Sequence, residues 1–132
     1  MAIGLDTSVV VRLLVGRPPL QAAAARRRLE QAFETAEPVI VTDLAIAEAY
    51  FALQHHYGVP KSEARALLLR FLQSGLVRAD PTETADALAP RAGAGLVDRL
   101  LHARHRRLEA VTLTFERALG RLEGAERIKT RS

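Results

Sequence analysis

The sequence predicts an α/β protein whose mainly parallel central sheet is covered by helices on both faces. Three observations carry this. Short apolar or β-branched runs alternate with longer stretches of helical character, as they do when crossover helices join parallel strands. Clusters of glycine and proline separate the elements. Several runs end in an acid beside a hydroxyl residue, the chemistry with which a strand turns into a helix.

The elements follow in order. Ile3-Gly4-Leu5 is apolar and stops at Asp6, after which Thr7 or Ser8 is expected to accept the first free helix N–H groups while residues 9–14 resume the apolar pattern. Gly16-Arg17-Pro18-Pro19 breaks the chain. Residues 20–36 read as an alanine-rich helix, with Leu29 and Phe33 four apart on its apolar side and Arg26, Arg27 and Arg28 reaching outward. The β-branched run 38–42 is a buried parallel strand ending in the N-cap chemistry of Thr42-Asp43, and the helix 44–57 that follows is closed by Gly58. Pro60-Lys61-Ser62 opens a further helix through Leu72, which Gly75 stops before a third strand at 76–79. Asp80-Pro81-Thr82-Glu83 reads as a capping box with proline at the first helical position of a short helix to residue 89. Residues 90–95 are expected to be the most flexible. A helix from Leu96 carries Asp98 and His102 toward the basic cluster Arg104-His105-Arg106-Arg107, a strand occupies 110–113, a short helix runs to 119, and 126–129 adds an edge strand.

With 132 residues, 48% of them apolar, the chain is expected to form one domain over 1–132 with a substantial core. No apolar run approaches the roughly 20 residues that span a bilayer, and Met1-Ala2 leads into the first strand without a basic leader. Cysteine is absent, which excludes disulfides and thiolate metal sites and makes the cytoplasm the expected compartment. Nineteen basic residues against fifteen acidic ones give a formal +4, and a pI near 10.3 favours a polyanionic partner. With only 5% aromatic residues and no Trp, broad stacking platforms are not expected. No HExxH, GxxxxGK[ST], GxSxG or GxGxxG motif occurs.

Most acids have ordinary settings: Glu30, Glu34, Glu37, Glu63, Asp86 and Glu109 lie among other charges, and Asp80 and Glu83 belong to the capping box. Four ask for more. Asp6 ends the first strand, Glu48 is the only charge between Leu44 and Leu53, Asp98 stands in the first turn of its helix, and Glu116 follows the fourth strand. Each has a local reading, as a helix cap, a salt-bridged surface acid or an acid favoured by the helix dipole. As a set they lie at or near the carboxyl ends of strands, where ligands of parallel sheets collect. Carboxylates gathered there would repel unless a cation compensates them, and an all-oxygen set suits Mg²⁺ or Mn²⁺ rather than zinc. His55 and His56 point to different helix faces and read as surface residues. His102 lies one turn beyond Asp98, as a partner of that acid or as a core-edge residue.

Leu5-Asp6-Thr7-Ser8, Ala47-Glu48 in an apolar helix, Gly95-Leu96-Val97-Asp98 after a glycine-rich loop, and Thr114-Phe115-Glu116 after the last core strand together resemble the PIN-domain family. In size and order the chain is similar to the VapC toxins of bacterial and archaeal toxin–antitoxin pairs. The resemblance implies a PIN-like three-layer sandwich and a metal-dependent endoribonuclease. Asp6, Glu48, Asp98 and Glu116 would then hold Mg²⁺ or Mn²⁺, with Thr7 or Ser8 and Thr114 orienting a ligand or water. The family most often has Asp where this chain has Glu116, one methylene longer. The resemblance further implies an RNA substrate, a VapB-like antitoxin whose tail covers the acidic pocket and an apolar groove, and a homodimer. Arg12, Arg17, Arg91 and Arg99 are candidate phosphate contacts, with Arg26 to Arg28 and Arg104 to Arg107 more remote, although for each a solvated surface charge is the favoured explanation. Two other readings stand: a housekeeping RNA-processing nuclease of the same fold without an antitoxin, and a PIN-like binding module that has lost its metal.

Overall fold

The computed structural model describes residues 1–90 and 92–130, which form two compact units, Met1–Ala89 and Pro90–Ser132. The protein is a mixed α/β chain, and every strand pairing among the described residues is parallel.

The first unit contains β1 (Ile3–Gly4), α1 (Thr7–Val15), α2 (Pro19–Glu34), β2 (Val39–Thr42), α3 (Asp43–Tyr57), α4 (Lys61–Leu72), β3 (Arg78–Asp80) and α5 (Thr84–Leu88). Its sheet runs β1-β2-β3 with Ile3 opposite Val39 and Thr42 opposite Asp80. β2 is central because its β-branched Val39 and Val41 fill the interior from a pleated backbone. On α3, Ile46, Ala49, Tyr50 and Leu53 recur at helical spacing and are all buried. Thr42 caps that helix by accepting from Ala45 N–H at 3.2 Å, and Gly58 ends it at φ 63°, where a side chain would be strained. Ile46, Leu53 and Leu68 are among the largest fully buried side chains, each contributing about 1.5–3 kcal/mol by leaving water.

The second unit contains α6 (Leu96–Arg107), β4 (Thr112–Thr114), α7 (Arg117–Gly120) and β5 (Ala125–Arg127). β4 pairs with β5, Thr112 opposite Ala125, and α6 packs on β4 through an apolar side that includes buried Leu96 and Leu100. Leu119 anchors α7, which packs on both strands. β4 inverts the usual alternation: Thr112 and Thr114 are buried while Val111, Leu113 and Phe115 face water. Thr112 tolerates burial because His102 Nδ1 and His105 Nδ1 lie 2.7 and 2.8 Å from its hydroxyl.

Four local expectations change. Asp6, not Thr7 or Ser8, caps α1, since its carboxylate accepts from Ser8 N–H at 3.2 Å. The capping box at 80–83 does not form: Asp80 closes β3, Thr84 N–H and Oγ1 both bond Pro81 O, and the helix begins only at Thr84. Phe33 is 69% exposed, because α2 packs through the small side chains of Ala22 and Ala32 rather than through Leu29 and Phe33. The third and fourth strands each sit one to two residues later than 76–79 and 110–113, and the last one or two residues earlier than 126–129. Among the described residues no helix is long and apolar enough to cross a membrane.

Candidate functional site

In the first unit, strand geometry brings acids to the carboxyl end of the sheet. β1 ends at Gly4, Leu5 N–H still reaches Ile40 O at 2.9 Å, and the chain then turns at Asp6 into α1. Asp6 Oδ1 accepts from Ser8 N–H at 3.2 Å and Oδ2 from Ser8 Oγ at 3.3 Å. A carboxylate offers about four lone-pair positions, so this capping leaves roughly half of its capacity open. Thr7, first residue of α1, donates from Oγ1 to Glu48 Oε1 at 3.2 Å. Glu48 lies opposite the buried stripe of α3, and α1 packs on α3. The apolar sequence around Glu48 therefore misleads about its burial: the carboxylate is exposed, with alanine rather than bulk beside it on the helix. Thr7 and Glu48 are thus in contact, and Glu48 stands beside the Asp6-Thr7 step.

In the second unit, Asp98 is half-buried in the first turn of α6, whose N-cap Gly95 provides no side-chain acceptor. Glu116 is the exposed N-cap residue of α7, and its N–H donates to Thr114 Oγ1 at 2.9 Å. That bond fixes the turn leaving β4 and settles what Thr114 does locally. Within neither unit do three or more of the described His, Asp and Glu residues form a ready metal cluster.

The histidines sort clearly. His55 is exposed and stacks on Phe51 with ring centroids 6.2 Å apart, and His56 is exposed. His102 is no partner of Asp98 in the bonds it makes: it is buried, with Nε2 2.8 Å from Glu123 O and Nδ1 against Thr112. A carbonyl only accepts, so neutral His102 carries its proton on Nε2. Its Nδ1 then accepts the Thr112 hydroxyl proton, and Thr112 in turn accepts from Nδ1–H of His105.

Three of the four candidate phosphate contacts are engaged with the protein. Arg12 bonds Gln21 Oε1 at 2.5 Å and Ser8 O at 3.1 Å, and Arg17 lies 5.3 Å from the centre of the Tyr57 ring. Arg99 bonds Ala94 O and Ala92 O in the loop before α6. Arg91 lies outside the described residues. Two acids were not singled out by sequence. Asp43 begins α3 at only 3% exposure and accepts from Leu44 N–H, and Asp80 ends β3 opposite Thr42. For Asp43 the signal was present, since it ends a strand as Asp6 does.

Residues 3–125 match the PIN domain family. The chain belongs to that family. No curated protein and no solved structure matches it significantly. A PIN domain is generally a nuclease fold whose members use divalent metals, so a nucleic-acid phosphodiester is the general substrate class. This PIN domain's donors fit such an ion by their chemistry: carboxylates and hydroxyls, no cysteine, and the described His102 and His105 both bonded to Thr112.

Proposed function

We propose that the protein is a Mg²⁺- or Mn²⁺-dependent endoribonuclease of the VapC toxin type. The proposed ligand set is Asp6, Glu48, Asp98 and Glu116, read as parts of one PIN domain over 1–132. The family match running through both units supports that reading. The observation that carries it is the Thr7 to Glu48 bond, which sets a second carboxylate beside Asp6 at the carboxyl end of a parallel sheet.

Asp6 and Asp98 are the principal ligands, and Glu48 is a ligand or the base that takes the proton of the attacking water. When bound, the ion supplies a water that is nucleophilic near neutral pH and neutralises charge on the phosphoryl oxygens. Thr7 holds the Glu48 carboxylate in one rotamer, which lowers the reorganisation needed when a proton arrives. Ser8 fixes the Asp6 plane in the same way, leaving roughly half of its lone-pair capacity unused. Thr114 orients the Glu116 backbone, and the longer side chain would hold a second or hydrated ion. Arg12, Arg17, Arg91 and Arg99 are proposed RNA contacts. The proposed partners are a VapB-like antitoxin and a second copy of the chain, in the cytoplasm.

The test is RNA hydrolysis with Mg²⁺ or Mn²⁺ by the wild type, Asp6→Asn and Asp98→Asn. Loss of cleavage in both variants supports the nuclease. Equal cleavage in all three marks a contaminant, and none in any favours a binding module without a metal. Co-purification with the product of an adjacent small reading frame, with cleavage suppressed in the complex, separates the toxin from a housekeeping nuclease.

A further inference from the structure

The Asp6 carboxylate stands at the end of a chain of hydrogen bonds that begins on another helix. Gln21, in the first turn of α2, accepts on Oε1 from Arg12 Nε. Arg12, in the last turn of α1, also donates from Nη1 to Ser8 O at 3.1 Å, back along its own helix. Ser8 in turn donates to both Asp6 oxygens, from its N–H at 3.2 Å and from Oγ at 3.3 Å. Two features of the sequence make the link possible. Ser8 and Arg12 are four positions apart and share one face of α1. Gly16, left-handed at φ 78°, ends α1 and lets the chain reverse through Pro18-Pro19, so that α2 packs on α1 and Gln21 meets Arg12. Gln21 is exposed, and a bond in water adds little to stability. Its effect is geometric: it holds a long, flexible cation against the Ser8 backbone instead of leaving it to sample many rotamers.

We infer that Gln21 is a positioning residue for the Asp6 carboxylate, acting through Arg12 and Ser8. The inference rests on the reading of Asp6 as a metal ligand in a nuclease. Groups behind a ligating carboxylate fix its orientation and tune its affinity for the ion. Ser8 is such a group, and Arg12 grips the Ser8 backbone only while Gln21 fixes the guanidinium. Gln21 carries no charge and Arg12 keeps its other N–H groups, so variants at position 21 leave the proposed RNA contact of Arg12 in place.

Gln21→Ala and Gln21→Glu are compared with the wild type by isothermal titration with Mn²⁺, by RNA cleavage with the same ion, and by proton NMR of the metal-free protein. Gln21→Ala should weaken Mn²⁺ binding and lower kcat, each about two- to tenfold, with KM and melting temperature unchanged. Glu offers Arg12 the same acceptor oxygen, so Gln21→Glu should restore both. The amide proton of Ser8, which bonds Asp6 Oδ1, should change its chemical shift in Gln21→Ala and regain it in Gln21→Glu. Glu37→Gln, which breaks the Arg28–Glu37 ion pair at the other end of α2, should alter none of these readings. The inference is overturned by an unchanged Mn²⁺ affinity and Ser8 resonance in Gln21→Ala. A lower melting temperature with wild-type Mn²⁺ binding also overturns it, since the link would then only clamp two helices. So does a rise in KM alone, which would make Gln21 an orienter of Arg12 toward RNA. The expected changes in Mn²⁺ binding and in the Ser8 resonance, in a protein that never cleaves RNA, support this inference and remove the nuclease reading instead.

Discussion

The Thr7 hydroxyl reaches Glu48 Oε1 at 3.2 Å across 41 positions of sequence and ties the first turn of α1 to the outer face of α3. A hydrogen bond of this kind at a surface is worth about 0.5–1.5 kcal/mol, so Thr7→Val should lower the metal-dependent cleavage rate a few-fold to tenfold. Thr7→Ser should restore it. A rate in Thr7→Val equal to that of the wild type would take Thr7 out of the site.

Asp6 has two roles that one pair of variants separates. Asn caps a helix about as well as Asp, so Asp6→Asn should keep the melting temperature while losing cleavage. Asp6→Ala should lose both, with a stability cost of about 1 kcal/mol. Full activity in Asp6→Asn would leave the cap as its only role.

Glu116 carries one methylene more than the aspartate usual in the family. Glu116→Asp should keep or raise cleavage, and Glu116→Ala should lower it. Isothermal titration with Mn²⁺ should show weaker binding in the Ala variant, and an unaffected affinity and rate would exclude this side chain from the ligand set.

Much of this was legible in the sequence. Thr42 and Gly58 bound α3 because their chemistry acts through neighbouring backbone alone. Tertiary context decided the rest. Asp80 looked like the start of a capping box, but sheet pairing with Thr42 claimed it for β3. Phe33 looked like core, yet close packing through alanine turned it to solvent. Glu48 drew notice because its neighbours are apolar, and its contact with Thr7 came from the packing of α1 on α3, which no short motif encodes. For His102 the core-edge reading was open in the sequence, but its partners were not, because Thr112 and Glu123 lie ten and 21 positions away.

Thr112 is the hinge pin of the second unit's polar core, held between His102 and His105. Thr112→Val should destabilise the fold by about 1–3 kcal/mol by stranding imidazole nitrogens, whereas Thr112→Ser should be close to neutral. Nitrogen NMR of the neutral imidazoles should find His102 with its proton on Nε2 and His105 with its proton on Nδ1, the less common tautomer in free histidine. His105 protonated only on Nε2 would contradict the bond directions assigned to the network.

Gly124 sits at φ 84° with Arg106 filling the space beside it. Gly124→Ala should cost more than about 1 kcal/mol, from the backbone strain and the collision together. Adding Arg106→Ala removes the collision and leaves the strain, so the double variant should recover part of the loss in thermal melts. Simple addition of the two single effects would show that Arg106 and Gly124 do not meet.

The inverted polarity of β4 bears on how this protein behaves in the test tube. Its threonines are inside, and Val111, Leu113 and Phe115 form a water-facing apolar stripe. Kosmotropic salts strengthen adhesion between such surfaces even as added ions screen the arginine contacts proposed to RNA. Salting-out should therefore begin at this stripe, and crowded, sulfate-rich solutions are the conditions in which chains stick to one another instead of to a nucleic acid.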